Sequence, residues 1–235
     1  MIRRRAPNPD ELALACGLPI LEALGTSRVA AIVGATGVAE YDERTDLFAA
    51  GDPADRFFAV LAGSVRLFAT TPDGRETTIA LVGSPESFGE AAMFSSGLFP
   101  VNATAMPGTH LLHLGAGAFL AELDARPELG LHMLQAMRKW ELRLLREIRE
   151  AKLMTPVQRL AGFVLSLCGD RSGPLTVQLP IRKNLLASKL GMQPETLSRN
   201  LQRLAAIGVT SRGDTITVAN PAELLQLFRD ETAER

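Results

Sequence analysis

The 235-residue chain has few of the side chains that build metal centres and disulfide frameworks: two cysteines, three histidines, one tryptophan and one tyrosine. Cys16 and Cys168 lie in different segments and form no CxxC pair. A disulfide scaffold, a cysteine zinc site and a four-cysteine iron–sulfur cluster are therefore excluded as expectations. The two thiols read as reduced cysteines of a cytosolic protein. No apolar run approaches the ~18 residues of a membrane-spanning helix. The leading MIRRRAPNPD carries charge with no apolar run behind it, so it does not read as a signal peptide. Enzyme signatures are missing too: there is no GxSxG, HExxH or P-loop, and no HxH pair of the kind that jelly-roll oxygenases use. GSPESFGE bears glycines but lacks the strand–helix phosphate pattern, and reads as a turn. No catalytic residue and no metal ligand set is assigned.

Local charge is also missing in places. From Glu76 to Ala125 there is no Lys or Arg, whereas Pro180 to Arg212 holds Arg182, Lys183, Lys189, Arg199, Arg203 and Arg212 against the single acid Glu195. With a net charge of −1 and 46% apolar residues, the chain reads as a modular protein with real cores and one local basic stretch. Its length suggests two modest domains.

Residues 10–36 read as helical, with Leu12, Leu18, Leu21 and Leu24 as candidate buried positions. From about 38 to 118 short apolar runs are broken by Gly, Pro and Asp, and TTPDGRET places an Asp-Gly turn between two alternating segments. This pattern predicts β-hairpins in an antiparallel sandwich or roll. Residues 127–155 predict one long helix. Met133, Met137, Trp140, Leu144, Ile148 and Ala151 recur along it at intervals of four, three, four, four and three, and charges fill the rest. Such a seam suits self-pairing into a homodimer. After Pro156 come a helix at 157–168, a strand in LTVQLP, two short helices at 182–190 and 194–207 joined by Gly191, Met192 and Gln193, and a hairpin in VTSRGDTITVAN. Two helices with a tight turn and a trailing hairpin predict a winged helix-turn-helix.

The second short helix carries the chemistry. At 100° per residue Leu197, Leu201 and Leu204 fall within about 60° of one another and form its buried stripe. Glu195, Ser198, Arg199, Gln202 and Arg203 fall opposite. Pro194 suits the first turn and Glu195 the positive end of the helix dipole. A guanidinium can donate two parallel hydrogen bonds to guanine, and a carboxylate can accept from cytosine N4. An acid facing phosphates is repelled unless it reads a base. Glu195, Ser198 and Arg199 are therefore the expected base readers of double-stranded DNA, and a Glu195–Arg199 contact would hold both ready. Arg182, Lys189, Gln202, Arg203 and Arg212 are the expected backbone contacts.

In this order the sequence resembles the CRP/FNR superfamily of bacterial transcription regulators. The resemblance rests on LFAAGDPADRFFAVLAGSVRLF, the DG hairpin, SFGEAAMF, RLAGFVL and PETLSR, and covers nearly the whole chain. IRKNLLASKLGMQPETLSRNLQRL and EAAMF are similar to the Dnr/NnrR branch associated with nitric oxide and denitrification. The resemblance implies an α+β chain: an antiparallel β-roll of the cyclic-nucleotide-binding jelly-roll kind at 1–126, a dimerisation helix at 127–155 and a winged helix-turn-helix at 156–235. It further implies cytoplasmic action, RNA polymerase as a partner, and an E-x-x-S-R reader of TTGAT-type half-sites, matched here by Glu195, Ser198 and Arg199. The expected effector pocket comprises Phe88, Gly89, Glu90, Met93, Pro100 and Val101. Cyclic-AMP-binding members grip the cyclic phosphate with an Arg beyond the FGE turn, where this chain has Pro100, so cyclic AMP is not expected. The branch implies haem b and nitric oxide. His110, His113 and His132 are the available imidazoles; His110 and His113, three apart on a strand, face opposite ways. Cys16, Met93 and Met106 are weaker candidates, and no ligand is assigned. The alternatives are a regulator responsive to another small ligand, a constitutive one, and a cyclic-nucleotide module that binds no DNA.

Overall fold

The computed structural model describes residues 2–34 and 37–229. The chain divides into two compact units, Met1–Leu142 and Arg143–Arg235. The division falls inside the long helix.

The first unit is built on two antiparallel sheets. One has the order β1 (Ile2–Arg5), β2 (Val38–Tyr41), β9 (Thr109–Gly115), β4 (Arg56–Ala62), β7 (Glu86–Phe88). The other runs β3 (Thr45–Phe48), β8 (Asn102–Ala105), β5 (Ser64–Thr70), β6 (Glu76–Gly83). Strand β4 explains why the sequence shows nearly continuous apolar runs here. Phe57, Ala59 and Leu61 belong to a core shared with helices, while Phe58 and Val60 belong to the roll interior. A strand covered on both faces has no reason to alternate with polar residues. The helix-side core takes in α1 (Pro9–Cys16), α2 (Gly25–Val33), α3 (Ala116–Ala125) and the start of α4 (Leu129–Leu153). The roll interior is rich in aromatic rings, with Phe58 and Phe88 stacked at 4.9 Å between centroids. The Asp-Gly turn joins β5 to β6 as predicted, with Gly74 at φ 81°.

The predicted helix over 10–36 is two helices separated by turns at 17–24, and residues 35 and 36 lie outside the described residues. Leu18, Leu21 and Leu24 are buried; Leu12 is half-buried against the same core. Asn8 and Glu11 form a capping box that fixes the start of α1. Strand β1 and helix α3 are additional elements. Arg5 of β1 holds Glu11 at 2.5 Å and Glu40 at 2.6 Å, tying the edge strand to α1 and β2.

Helix α4 divides the predicted seam between two faces. Met133 is buried in the helix-side core, and Trp140, seven residues on, packs against the roll interior. Met137, Leu144 and Ile148 are 43%, 42% and 51% exposed, as is Leu134 at 62%; Ala151 is exposed as well. The outward stripe is thus Leu134, Met137, Leu144, Ile148 and Ala151, spaced three, seven, four and three, with Glu141 interrupting it. Met133 is not part of it, because the first unit uses the opening turns of α4 to close its own core.

In the second unit α5 (Pro156–Cys168) starts at a capping box between Thr155 and Gln158. Helices α6 (Lys183–Lys189) and α7 (Pro194–Ala205) follow, then the hairpin β11 (Val209–Arg212) and β12 (Thr215–Val218), and α8 (Pro221–Arg229). The predicted strand in LTVQLP is β10 (Leu175–Gln178), which pairs with β12. Leu160, Val164, Leu186, Leu197, Leu204, Ile216 and Leu224 form one core. Helix α8 was not read from the sequence; its Phe228 ring lies so close to Gly162 of α5 that a Cβ there would stand 2.6 Å from it.

Candidate nucleic-acid interface and sensor pocket

The turn between α6 and α7 is built from local rules. Gly191 takes φ 61°, a left-handed conformation that glycine adopts without steric cost. Pro194 occupies the first turn of α7, where its missing N–H is harmless. Leu197 and Leu204 are buried, and Leu201 packs half-buried against the same core. Burying that stripe leaves Glu195, Ser198, Arg199, Gln202 and Arg203 all exposed. Arg182, at the N-cap of α6, and Arg212, at the end of β11, are exposed too; Lys189 is half-buried in the last turn of α6.

One detail departs from the sequence reading. No ion pair joins Glu195 and Arg199 among the described residues; Arg199 Nη2 instead donates to Thr196 Oγ1 at 3.3 Å. The three-residue spacing places the hydroxyl within reach of the guanidinium on the same side of the helix. Glu195 is left facing solvent with its acceptor capacity unspent.

Two further residues position this surface. Arg159 of α5 donates from Nε to the Leu190 carbonyl at 2.9 Å and from Nη1 to the Met154 carbonyl at 2.9 Å, bracing the helix turn. Asn200 is buried on the inner side of α7, with Nδ2 at 3.9 Å from Met192 Sδ. The sequence signal for Arg159 was a lone cation inside an otherwise apolar helical run.

The expected effector segment is a strand end, a glycine and a 3₁₀ turn. Gly89 takes φ 89°, and its backbone lies against Phe99 and Phe58. Glu90, Ala91, Ala92, Met93 and Phe94 then form the turn. The six expected residues do not share one lining. Phe88 and Val101 pack in the roll interior, Met93 against the helix-side core, and Pro100 is exposed. Glu90 is 3% exposed; Ser87 Oγ donates to its Oε1 at 3.3 Å, and Oε2 has no hydrogen-bond partner among the described residues. Burial pushes this carboxyl above its ordinary pKa.

The histidines separate as expected. On β9 His113 faces the roll interior, with Nε2 at 3.1 Å from the Tyr41 hydroxyl and its ring edge-on to Phe58, while His110 is half-buried on the other side of the strand. Burial, then Arg4 and Arg56, push the His113 imidazole down to about 4. His132 lies on α4. Among the described residues no group of three or more His, Cys, Asp or Glu is arranged to hold a metal ion. No helix among them is long and apolar enough to cross a membrane.

A β-roll followed by a winged helix-turn-helix with an exposed polar face defines the class of DNA-binding regulators. Residues 38–126 match the cyclic nucleotide-binding domain family, and residues 158–227 match the Crp-like helix-turn-helix domain family. The chain is 34% identical over 193 residues to the cyclic AMP receptor protein of Thermus thermophilus, covering 79% of this chain and 85% of that protein. It is 28% identical over 192 residues to the nitrogen fixation regulation protein FixK of Rhizobium meliloti, covering 81% of this chain and 86% of that protein. The structure of FixK2 from Bradyrhizobium japonicum has the same fold, with a TM-score of 0.68 at 23% identity, covering 81% of this chain and 96% of that one. This chain belongs to the CRP/FNR family of transcription regulators. The relatives named here are regulators and a receptor, not enzymes.

Proposed function

We propose that the protein acts in the cytoplasm as a homodimeric transcription regulator. Its two α7 helices would enter successive major grooves of a near-palindromic site with TTGAT-like halves. The observation that carries this reading is the exposure of Glu195, Ser198 and Arg199 together at the start of α7, opposite its leucine stripe. Two half-sites about 34 Å apart suit a two-fold dimer. The outward stripe of α4 supports pairing, because Leu134, Met137, Leu144 and Ile148 leave apolar surface in water that a second copy would cover. RNA polymerase is the partner through which bound regulator would act. Selection from a random duplex pool, followed by gel-shift titration of the enriched site, tests the reading. Failure to enrich any inverted repeat would overturn it.

The signal is proposed to be a small ligand other than a cyclic nucleotide. Relatives carry cyclic AMP in their names, yet residues 88–101 contain no Lys or Arg. The buried guanidinium of the roll, Arg66, is already committed to Glu76, Thr78 and the Phe68 ring. Glu90 adds a buried carboxyl beside the glycine turn. A cyclic phosphate would meet an acid and no free cation, which is unfavourable in a dry site. Calorimetric titration with cyclic AMP and cyclic GMP checks this, and saturable binding of either would refute it.

Haem and nitric oxide are the second reading, resting on the likeness of 90–94 and 181–204 to the Dnr/NnrR branch. In its favour, His113 alone of the histidines is buried inside the roll. Against it, Nε2 of that residue is engaged by Tyr41. When bound, haem would supply an iron that captures nitric oxide. A Soret band after haem reconstitution, absent from His113→Gln, is the expected mark; no band in the wild-type protein ends this reading.

A further inference from the structure

A cavity lies in the roll beside the glycine turn, lined in part by Phe58 and Phe99, the two rings against which Gly89 lies. Its volume is about 400 Å³, within the range of small-molecule sites, and it shares only Phe99 with residues 88–101. Its wall is aromatic. Phe48 stacks on Phe99 with 3.6 Å between centroids and 11° between planes, and on Phe58 at 5.7 Å and 27°. Near-parallel rings of this kind extend naturally to another planar ring. Its polar floor is the Tyr41–His113 pair, buried and mutually hydrogen-bonded at 3.1 Å.

Charge at the rim is unevenly committed. Arg56 is held by Asp55 through two hydrogen bonds of 2.7 and 2.8 Å. Asp46 accepts from Thr104 Oγ1 at 2.6 Å, and Asp52 accepts from the Ala49 N–H at 2.8 Å. Arg4, exposed on the edge strand β1, has no ion pair among the described residues. Arg4 and Arg56 both favour ionised Tyr41, and both act on His113 more strongly than Asp55 opposes them. The neutral imidazole leaves no competing positive partner at the floor itself.

We propose that this cavity binds a small aromatic carboxylate, its acid group on Arg4 and its ring against Phe48, Phe58 and Phe99. The guanidinium offers a planar fork that matches a carboxylate. The site belongs to the first unit, whereas the DNA-reading surface belongs to the second. A ligand here would also press on the roll interior against which Trp140 of α4 packs.

The test is isothermal titration of the full chain, without DNA, against benzoate, 4-hydroxybenzoate and phenylacetate. Benzamide serves as the neutral counterpart and cyclohexanecarboxylate as the non-aromatic one. Saturable binding of at least one aromatic acid is expected. Binding should weaken by about tenfold or more for the amide, for cyclohexanecarboxylate, for Arg4→Gln and for Phe48→Leu. Glu90→Gln should bind as the wild type does. The proposal is overturned if none of the three acids binds saturably, if benzamide binds as tightly as benzoate, or if Arg4→Gln retains wild-type affinity. Arg4 is exposed on an edge strand, so its substitution leaves both cores intact. Because binding is read on the protein alone, a failure to bind DNA leaves this result interpretable.

Discussion

Arg199 donates to the hydroxyl of Thr196, one turn back on the same helix, and does not pair with Glu195. The guanidinium is thereby steadied by a neutral, weak partner that it can leave at little cost. The acid keeps its full acceptor capacity. A strong Glu195–Arg199 pair would have to be broken before either group met a base edge.

Arg199→Ala is therefore expected to lose about 1–3 kcal/mol on the selected site and to relax preference at one base pair. Affinity for random duplex should change far less. Competition gel shifts on single-base variants of the site measure this; equal losses on specific and random DNA would sink the assignment.

Arg212→Ala should behave oppositely. It removes an exposed cation at the end of β11, so affinity should fall alike for all sequences. The slope of log K against log salt should drop by about 0.9 for one lost phosphate contact. Fluorescence anisotropy over a salt series reads both quantities.

Ile148→Asp places a charge on the outward stripe of α4, where Ile148 is 51% exposed. Sedimentation is expected to shift from dimer to monomer while the far-ultraviolet dichroism is retained. An unchanged dimer would show that pairing uses another surface.

Gly162→Ala tests the α5–α8 packing. Phe228 must move to admit the methyl group, since its ring would lie 2.6 Å from the new Cβ. Overpacking of this kind costs about 1–3 kcal/mol, measurable by urea denaturation. Phe228→Leu in the same chain should recover part of the loss.

His113 sets an acid limit on the first unit. Its folded pKa of about 4 lies below the ordinary 6.5, so the unfolded chain binds the proton first as pH falls. Stability is then complete above about pH 6.5 and lost progressively toward pH 4, by up to ~3 kcal/mol. His113→Gln should flatten that part of the pH–stability curve. Glu90 has the opposite sign: its raised pKa means that stability falls as pH rises through its titration range. Glu90→Gln should therefore gain stability over the wild type at neutral pH and lose that advantage in acid.

Much of this architecture was legible because it is local. The α7 face follows from leucines at helical spacing, the β5–β6 hairpin from Asp73-Gly74, and the turn before α7 from Gly191 and Pro194. Strand β1 was not legible, since nothing in its short window announces it; helix α8 was overlooked although Asn220, Pro221 and Glu223 mark its start. Ile2–Arg5 is mostly arginine and is a strand only because β2 offers it an edge. Pro221–Arg229 is settled by burial of Leu224 and by the closeness of Phe228 to Gly162.

The sequence alone determined the order of the parts and the polar reading face of α7, because period, caps and turn residues act over a few neighbours. Only the tertiary structure decided which side of α4 faces its own unit, that Arg199 leans on Thr196, and that Arg4, Tyr41, Phe48 and His113 surround one cavity. Those outcomes depend on which distant surfaces compete to bury the same side chains, and no local pattern encodes that competition.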